Sequence, residues 1–131
     1  MLNITKSVEY GLIAIRHINN NKNTIVSTKE IANLYYLPYE LLAKILQKLC
    51  KKKYLAAIKG PNGGYKMKKQ LNNISLIKFI EDIEGPVGIT KCSIDLECEQ
   101  IETCNIKSPI DKINQNIRTM LSNTSLSELT N

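Results

Sequence analysis

The sequence predicts a mainly α-helical chain with one small β-hairpin, and three observations lead to this fold class. Apolar residues recur at intervals of three and four through much of the first fifty residues, as they do on one face of a helix. Near residue 60, a Gly- and Pro-rich turn separates two short apolar runs. Aromatic residues make up only 5% of the chain and Trp is absent, so aliphatic residues must fill the core, and the abundance of Leu and Lys favours helices.

The size and charge of the chain limit the possible functions. A length of 131 residues suits one domain with an appended helix. The sequence shows neither a secretion signal nor an apolar stretch that could cross a membrane, so we expect a cytoplasmic protein without membrane contact. Residues 1–70 hold 13 Lys and Arg against three acidic residues, whereas residues 71–131 hold five against nine. The first half therefore suits nucleic acid, although a solvated lysine-rich surface would have the same composition.

Two helices are predicted in the first 34 residues. The first runs from Thr5 to about Asn19, because its apolar residues share one face. These residues are Val8, Leu12, Ile15 and Ile18. The polar run 19–23 then favours a loop. Ser27 and Glu30 form a capping box, in which each side chain accepts a hydrogen bond from the other's backbone, so the second helix runs from Thr28 to about Leu34.

A third helix follows a turn at residues 35–37. Pro38 suits its first position, where a missing N–H costs nothing. Its predicted buried face consists of Leu42, Ile45, Leu46 and Leu49. Its outward face carries Glu40, Lys44, Gln47, Lys48 and Lys51. Two short helices joined by a tight turn, with lysines on the second, are typical of a helix-turn-helix whose second helix enters the major groove of DNA.

The next segment predicts a β-hairpin. Residues 54–58 and 65–67 read as strands, and the turn 59–64 contains three glycines that allow tight backbone geometry. Four lysines surround this turn: Lys59, Lys66, Lys68 and Lys69. A basic hairpin directly after a helix-turn-helix is a wing. The glycines could instead hold a phosphate, but their spacing matches neither the dinucleotide-binding nor the Walker motif.

The rest of the chain divides into a short helix, an irregular segment and a long helix. A helix from Ser75 to Ile83 ends at Gly85-Pro86, and residues 87–108 show no period. Beyond Pro109, an apolar stripe is formed by Ile110, Ile113, Ile117, Met120 and Leu121. The stripe suits pairing with a second copy in a dimer, or packing against its own domain. We predict a DNA-binding domain at 1–86, a cysteine-rich loop at 87–108 and a dimerisation helix with a tail at 109–131.

The irregular segment contains three evenly spaced cysteines. Cys92, Cys98 and Cys104 have the spacing C-x5-C-x5-C, and three thiolates from one flexible segment can bind a soft metal centre that would order it. The absence of C-x-x-C pairs favours an iron–sulfur cluster over zinc without excluding zinc. Cys50 is interpreted as a partly buried structural thiol, and His17 as an ordinary side chain of the first helix.

Together these features resemble the IscR, NsrR and SufR group of iron–sulfur winged-helix regulators. The resemblance covers nearly the whole chain. It rests on residues 6–12, the helix-turn-helix at 27–53, the wing string Lys59-Gly60-Pro61-Asn62-Gly63-Gly64-Tyr65, the three-cysteine loop and Ser125-Leu126-Ser127-Glu128-Leu129. The stretch from Glu84 to Ser93 looks most like members that regulate the SUF cluster-assembly operon.

The resemblance implies a homodimer crossed by the C-terminal helix, with a cluster in each loop and DNA affinity that depends on the cluster. It places Cys92, Cys98 and Cys104 at the cluster thiolates. IscR-like members use a histidine three residues after the last cysteine, where this chain has Lys107, and an ammonium cannot bind iron. NsrR-like members use a carboxylate from the other subunit, which matches Glu9; an ordinary exposed acid is the alternative. The cluster type stays open, with 2Fe-2S preferred to 4Fe-4S.

The resemblance also implies which residues face double-stranded DNA. Residues 38–48 would enter the major groove, and residues 59–63 would reach the minor groove. The predicted contacts are Thr28, Pro38, Tyr39, Glu40, Lys44, Lys48, Lys59, Gly60, Asn62 and Gly63. Lys44 and Lys48 are the best candidates, with phosphate the commoner partner of lysine. Glu40 could accept from a cytosine amino group or act by repelling wrong sequences.

The resulting hypothesis is a cluster-sensing transcription regulator, a repressor of iron–sulfur cluster assembly genes. The alternative within the same fold is a regulator switched by thiols or zinc without a cluster. A redox enzyme or electron carrier is disfavoured, because the chain offers no second cofactor site and a wing would serve no purpose there. We therefore predict no enzyme activity and no small-molecule substrate.

Overall fold

The computed structural model describes residues 4–88 and 105–130. Its elements are α1 (Lys6–Asn20), α2 (Thr28–Tyr35), α3 (Tyr39–Lys51), β1 (Leu55–Ile58), β2 (Gly64–Met67), a 3-10 turn (Leu71–Asn73), α4 (Leu76–Glu84), α5 (Lys107–Ser122) and α6 (Leu126–Thr130). The predicted cluster ligands Cys92, Cys98 and Cys104 lie outside the described residues.

Side chains at the N-termini of three helices fix where each helix begins. Thr5 accepts from the backbone N–H of Val8, Ser27 from that of Glu30, and Ser75 from that of Lys78. These caps satisfy amides that the first turn of a helix leaves without a partner.

Two details of the predicted helix starts are wrong. Glu30 does not complete the capping box, because its carboxylate accepts from His17 Nε2 at 2.7 Å instead of reaching back to the Ser27 backbone. Pro38 is the residue before α3, not its first member: its ψ of 120° is extended, and the helix begins at Tyr39.

The wing is a two-stranded antiparallel hairpin with a third backbone contact. Leu55 lies opposite Met67 and Ile58 opposite Gly64. Val26, just before α2, exchanges two backbone hydrogen bonds with Tyr65 at 3.0 and 2.7 Å. The wing is therefore attached to the start of the helix-turn-helix.

One mainly aliphatic core joins the helices and the hairpin. The fully buried side chains come from α1, α2, α3, the start of the wing, α4 and the C-terminal segment. They include Ile15, Ile18, Ile31, Leu42, Leu46, Leu49, Tyr54, Leu55, Phe79 and Leu126. Gly11 lies where α1 meets α4, because a Cβ there would press on Ile83 and Phe79.

The C-terminal region differs in detail from the prediction. α5 begins at Lys107, so Pro109 lies in its first turn, where a missing N–H is tolerated. The chain then turns back: Leu126 is fully buried and donates its N–H to Ile74, and Leu76 donates to Thr124. None of the helices in the described ranges is long and apolar enough to cross a membrane.

Candidate nucleic-acid interface

α3 presents a polar face to solvent because its apolar residues are held in the core. Leu42, Leu46 and Leu49 are fully buried and Ile45 is 4% exposed. The predicted contacts Pro38, Tyr39, Glu40, Lys44 and Lys48 are all exposed. Thr28 is half-buried in the first turn of α2, next to its cap Ser27.

The tip of the wing brings the second group of predicted residues together. Lys59, Gly60 and Asn62 are exposed, and Gly63 is half-buried. Gly60 has a φ of 112°, and its carbonyl accepts from the Gly63 N–H at 3.0 Å. A Cβ on Gly63 would overlap the carbonyl oxygen of Ile58. This tight turn needs glycine at both positions.

Lys48 has a partner within the protein. Its ammonium donates to the Ile83 carbonyl at 2.7 Å, near the C-terminal end of α4. A cation suits this position because the carbonyls of a last turn carry partial negative charge. The contact joins α3 to α4, and it leaves the exposed Lys44 and Lys51 as the lysines of α3 with the clearer access to a ligand.

A partly buried polar cluster joins the base of the wing to α4. Tyr54, immediately before β1, donates its hydroxyl to Asp82 at 2.6 Å, and its ring meets Phe79 edge to face. Lys78 pairs with Asp82 at 3.3 Å, and the Lys69 ammonium lies 4.5 Å from the centre of the Tyr54 ring. The Tyr54–Asp82 contact was not predictable from local sequence patterns, because the two residues lie 28 positions apart along the chain.

The pKa values of this cluster are shifted in opposite directions. Burial, with the hydrogen bond to Asp82 and its charge, raises the pKa of Tyr54 above 10. Burial also pushes the pKa of Asp82 upward, but the hydrogen bonds from Tyr54 and Lys78 outweigh it, so the net pKa is lowered. Asp82 is therefore a carboxylate and Tyr54 a neutral donor at neutral pH.

A second polar cluster lies where the chain leaves α4 toward the cysteines. Arg118 of α5 contacts both carboxylate oxygens of Glu81 at 3.4 Å and donates to the Val87 carbonyl at 3.0 Å. Glu81 in turn accepts from the Val87 N–H at 3.3 Å. Val87 is thus held between α4 and α5.

Glu9, the predicted fourth cluster ligand, lies in the first turn of α1. Its side chain is 45% exposed and pairs with Lys6 at 3.2 Å. Nearby in sequence, the cap residue Thr5 donates to Glu84 at 2.6 Å, which ties the start of α1 to the end of α4. Lys107 pairs with Asp111 at 2.6 Å. Within the ranges 4–88 and 105–130, no three metal-binding side chains cluster.

Cys50 and His17 occupy the structural positions expected of them. Cys50 is a half-buried free thiol near the end of α3. His17 bonds Tyr35 through Nδ1 at 2.9 Å and Glu30 through Nε2, so both ring nitrogens have partners joining α1 to α2.

The comparisons with known proteins agree with this geometry. The family model for Rrf2, described as an iron-dependent transcriptional regulator, matches residues 4–131. The chain belongs to the Rrf2 family. An Aquifex aeolicus (strain VF5) protein, named as an HTH-type transcriptional regulator, is 33% identical over 75 residues, which are 57% of this chain and 52% of that relative. The match thus spans about half the length of that curated protein.

Two solved structures share the Rrf2 fold with this chain. CymR (YrzC), the global cysteine regulator of B. subtilis, is 22% identical with a TM-score of 0.77, and 99% of this chain and 97% of that chain are covered. T. potens IscR is 21% identical with a TM-score of 0.74, and the covered shares are 98% and 85%.

These findings confirm the predicted fold class and the absence of enzyme activity, because the Rrf2 family consists of transcriptional regulators. The resemblance to IscR, NsrR and SufR is confirmed at the level of the family. The narrower assignment to an iron–sulfur subgroup stays a prediction, since CymR and IscR are similarly close in fold.

Proposed function

We propose that this Rrf2 protein binds operator DNA as a homodimer, through α3 and the wing, with an affinity set by an iron–sulfur cluster on its cysteine segment. The observation that carries the proposal is the placement of three cysteines, Cys92, Cys98 and Cys104, directly after the segment at Val87 that contacts both α4 and α5. A ligand bound by these cysteines would act on the part of the fold to which the recognition helix is attached.

The DNA-binding part of the proposal rests on charge and shape. Exposed lysines follow the outer face of α3 and continue to the tip of the wing. They are Lys44, Lys51, Lys52, Lys53 and Lys59. Lysines of this kind bind phosphates and make affinity fall steeply with salt, while the exposed start of α3 offers Tyr39 and Glu40 to base edges.

The donor set fits an iron–sulfur cluster. Three thiolates supply soft ligands, and Glu9 would be the fourth, a carboxylate 45% exposed whose partner Lys6 is 73% exposed. Separating so exposed an ion pair costs less than about 1 kcal/mol, so Glu9 can give up Lys6 to bind iron. When bound, the cluster supplies an assembly-dependent centre that iron starvation or oxidants remove.

The residues between the cysteines and α3 would couple the state of the cluster to the position of the recognition helix. Val87 is held by Glu81 and Arg118, and two residues beyond Glu81 the Ile83 carbonyl accepts from Lys48 of α3. A shift of the chain at Val87 therefore bears on the end of α4 and on the recognition helix. In a dimer this changes the separation of the two recognition helices, which must match half-sites about 34–36 Å apart.

The deciding measurement is iron, acid-labile sulfide and zinc per monomer in protein purified without oxygen. We expect iron and sulfide in near-equal amounts, lost in Cys92→Ala and retained in Cys50→Ala, the matched control for loss of one thiol. Operator affinity should change in Cys92→Ala and not in Cys50→Ala. Iron-free protein, or unchanged iron and affinity in Cys92→Ala, would refute cluster sensing while leaving DNA binding untouched.

The second candidate is a thiol- or zinc-switched regulator of the same fold. Two observations favour it: Lys107 stands where IscR-like members have a histidine and pairs with Asp111, and the fold is equally similar to CymR, a cysteine regulator. Zinc at one equivalent, or metal-free protein whose DNA affinity changes on thiol oxidation, would establish it.

A further inference from the structure

Tyr36, in the turn of the helix-turn-helix, has a backbone conformation that its residue type disfavours. Its φ and ψ are 56° and 45°, in the left-handed region. Outside glycine, only Tyr36 and Lys53 have a positive φ within the described parts of the chain. For a bulky residue this conformation is an outlier, because Cβ approaches the carbonyl oxygen that follows it.

The turn explains the conformation but not the choice of tyrosine. The N–H groups of Tyr36 and Leu37 both bond to the Ala32 carbonyl, which ends α2 with a left-handed residue. Glycine or asparagine usually occupies such a position. Tyr36 is 93% exposed, so no packing against residues 4–88 or 105–130 compensates for the strain.

Tyr36 lies in a stretch of the chain that is rich in exposed apolar residues. Ten large hydrophobic residues are exposed across residues 4–88 and 105–130, and four of them fall between residues 34 and 39. They are Leu34, Tyr35, Tyr36 and Tyr39. No side chain caps the N-terminus of α3, which begins three residues after Tyr36. Its free amides and partial positive charge favour phosphate over an apolar protein surface.

From these observations we infer that Tyr36 contacts the sugar–phosphate backbone of DNA beside the major groove, with its hydroxyl donating to a phosphate and its ring covering the adjoining sugar. The inference rests on the proposed DNA-binding function. A strained residue type that the fold does not require at its position is a common mark of a functional position. A phosphate contact positions the protein and does not read the base sequence.

Replacement by glycine separates this role from a structural one. Tyr36→Gly relieves the strained conformation, so its Tm should rise by roughly 2–4 °C, whereas a tyrosine needed for folding would give a lower Tm. The same variant should bind DNA about tenfold more weakly, which corresponds to one lost contact. Tyr36→Phe should keep the wild-type Tm and lose only part of the affinity.

The probes are a duplex that the wild-type dimer selects from a randomised library and a scrambled duplex of equal length. Tyr36→Gly should weaken binding to both duplexes by the same factor, because the contact carries no sequence information. Lys44→Ala serves as the reference for the proposed function. If Lys44→Ala weakens binding while Tyr36→Gly does not, the Tyr36 contact is refuted and DNA binding stands.

If the wild-type protein selects no duplex, the proposed function itself fails. The alternative is that a second copy of this chain covers the surface around Tyr36, and sedimentation without DNA tests it. A change in the oligomeric state of Tyr36→Gly would assign the ring to a contact between copies and overturn the inference.

Discussion

Lys53, two residues beyond the end of α3, has a backbone conformation that glycine adopts at lower cost. Its φ is 69°, its N–H bonds to the Cys50 carbonyl, and the N–H of Tyr54 bonds to the Leu49 carbonyl. This is the Schellman pattern, in which the left-handed residue is usually glycine. We expect Lys53→Gly to raise the free energy of unfolding by about 0.5–1 kcal/mol, as measured by urea denaturation.

Lys52 provides the matched control, because it is also an exposed lysine but has a φ of −84°. Lys52→Gly removes the same charge without relieving any strain, so its stability should fall slightly or stay unchanged. If Lys52→Gly and Lys53→Gly raised the free energy of unfolding equally, charge repulsion among the lysines, and not backbone strain, would limit stability here.

Tyr54 gives the fold a dependence on alkaline pH. Because its pKa is raised in the folded state above the ordinary value of 10, its stabilising contribution is complete below pH 10 and is lost as the pH rises further. At pH 7 Tyr54→Phe should lower the free energy of unfolding by about 1–3 kcal/mol, since a hydrogen bond to a carboxylate is removed.

Above pH 10 the wild-type protein should lose about 1.4 kcal/mol per pH unit from this site, and Tyr54→Phe should not. The two stabilities should therefore converge toward pH 11–12 in denaturation curves recorded across this range. Tyr10→Phe, which changes a partly buried tyrosine packed against the core, controls for general alkaline effects. If the free energies of unfolding of the wild type and Tyr54→Phe changed in parallel with pH, Tyr54 would not be the source of the alkaline dependence.

Individual residue roles were predictable from sequence where they depend on neighbours. The cap at Ser27 follows from a local pattern, because its partner is three residues away. The partner of Glu30 was not predictable, since His17 on another helix competes for the carboxylate. Lys48 was correctly placed outside the core, but its bond to Ile83 depends on how α3 packs against α4.

Among the elements, the wing depends on a glycine that lies against the chain preceding α2. A Cβ on Gly64 would overlap the Val26 carbonyl oxygen, which accepts from the Tyr65 N–H in the bridge between Val26 and the wing. Gly64→Ala should therefore destabilise the protein by about 1–3 kcal/mol, as overpacking does. Thermal and urea denaturation would measure the loss, and DNA affinity should fall because the wing is displaced.

Asn62→Ala is the control for Gly64→Ala, since Asn62 is exposed at the tip of the same hairpin. Its stability should stay within about 0.5 kcal/mol of the wild type, as is usual for surface substitutions. A Gly64→Ala variant as stable as Asn62→Ala would show that the bridge can shift without cost.

Helix and strand positions were predictable to within one or two residues because apolar spacing, caps and turn residues are local signals. The observed α1 and α4 extend one residue beyond the predicted ends. The short helix α6 was not predicted. Its single core residue, Leu126, is buried because the backbone pairs with Ile74 and with Leu76 through Thr124, contacts that no periodicity reveals.

At the scale of the whole molecule, the predicted apolar stripe of α5 is divided between the core of its own domain and the solvent-exposed surface. Leu121 packs against the core, which satisfies part of the alternative that the stripe covers its own domain. Ile113 and Met120 are 49% and 61% exposed and lie seven residues apart on one face of α5, and Ile106, the residue just before the helix, is 57% exposed. An apolar row with this spacing is suited to pairing with a second helix. The dimer itself stays a prediction.

A charge in this row should separate the copies. Ile113→Glu would place a carboxylate against apolar side chains in the proposed dimer, so we expect a monomer near 14.8 kDa by sedimentation where the wild type has twice that mass. Gln115→Glu adds the same charge on the exposed polar side of α5 and should stay dimeric. Because each monomer reads only one half-site, Ile113→Glu should bind a two-half-site duplex at least tenfold more weakly. A dimeric Ile113→Glu protein with wild-type affinity would exclude α5 as the interface.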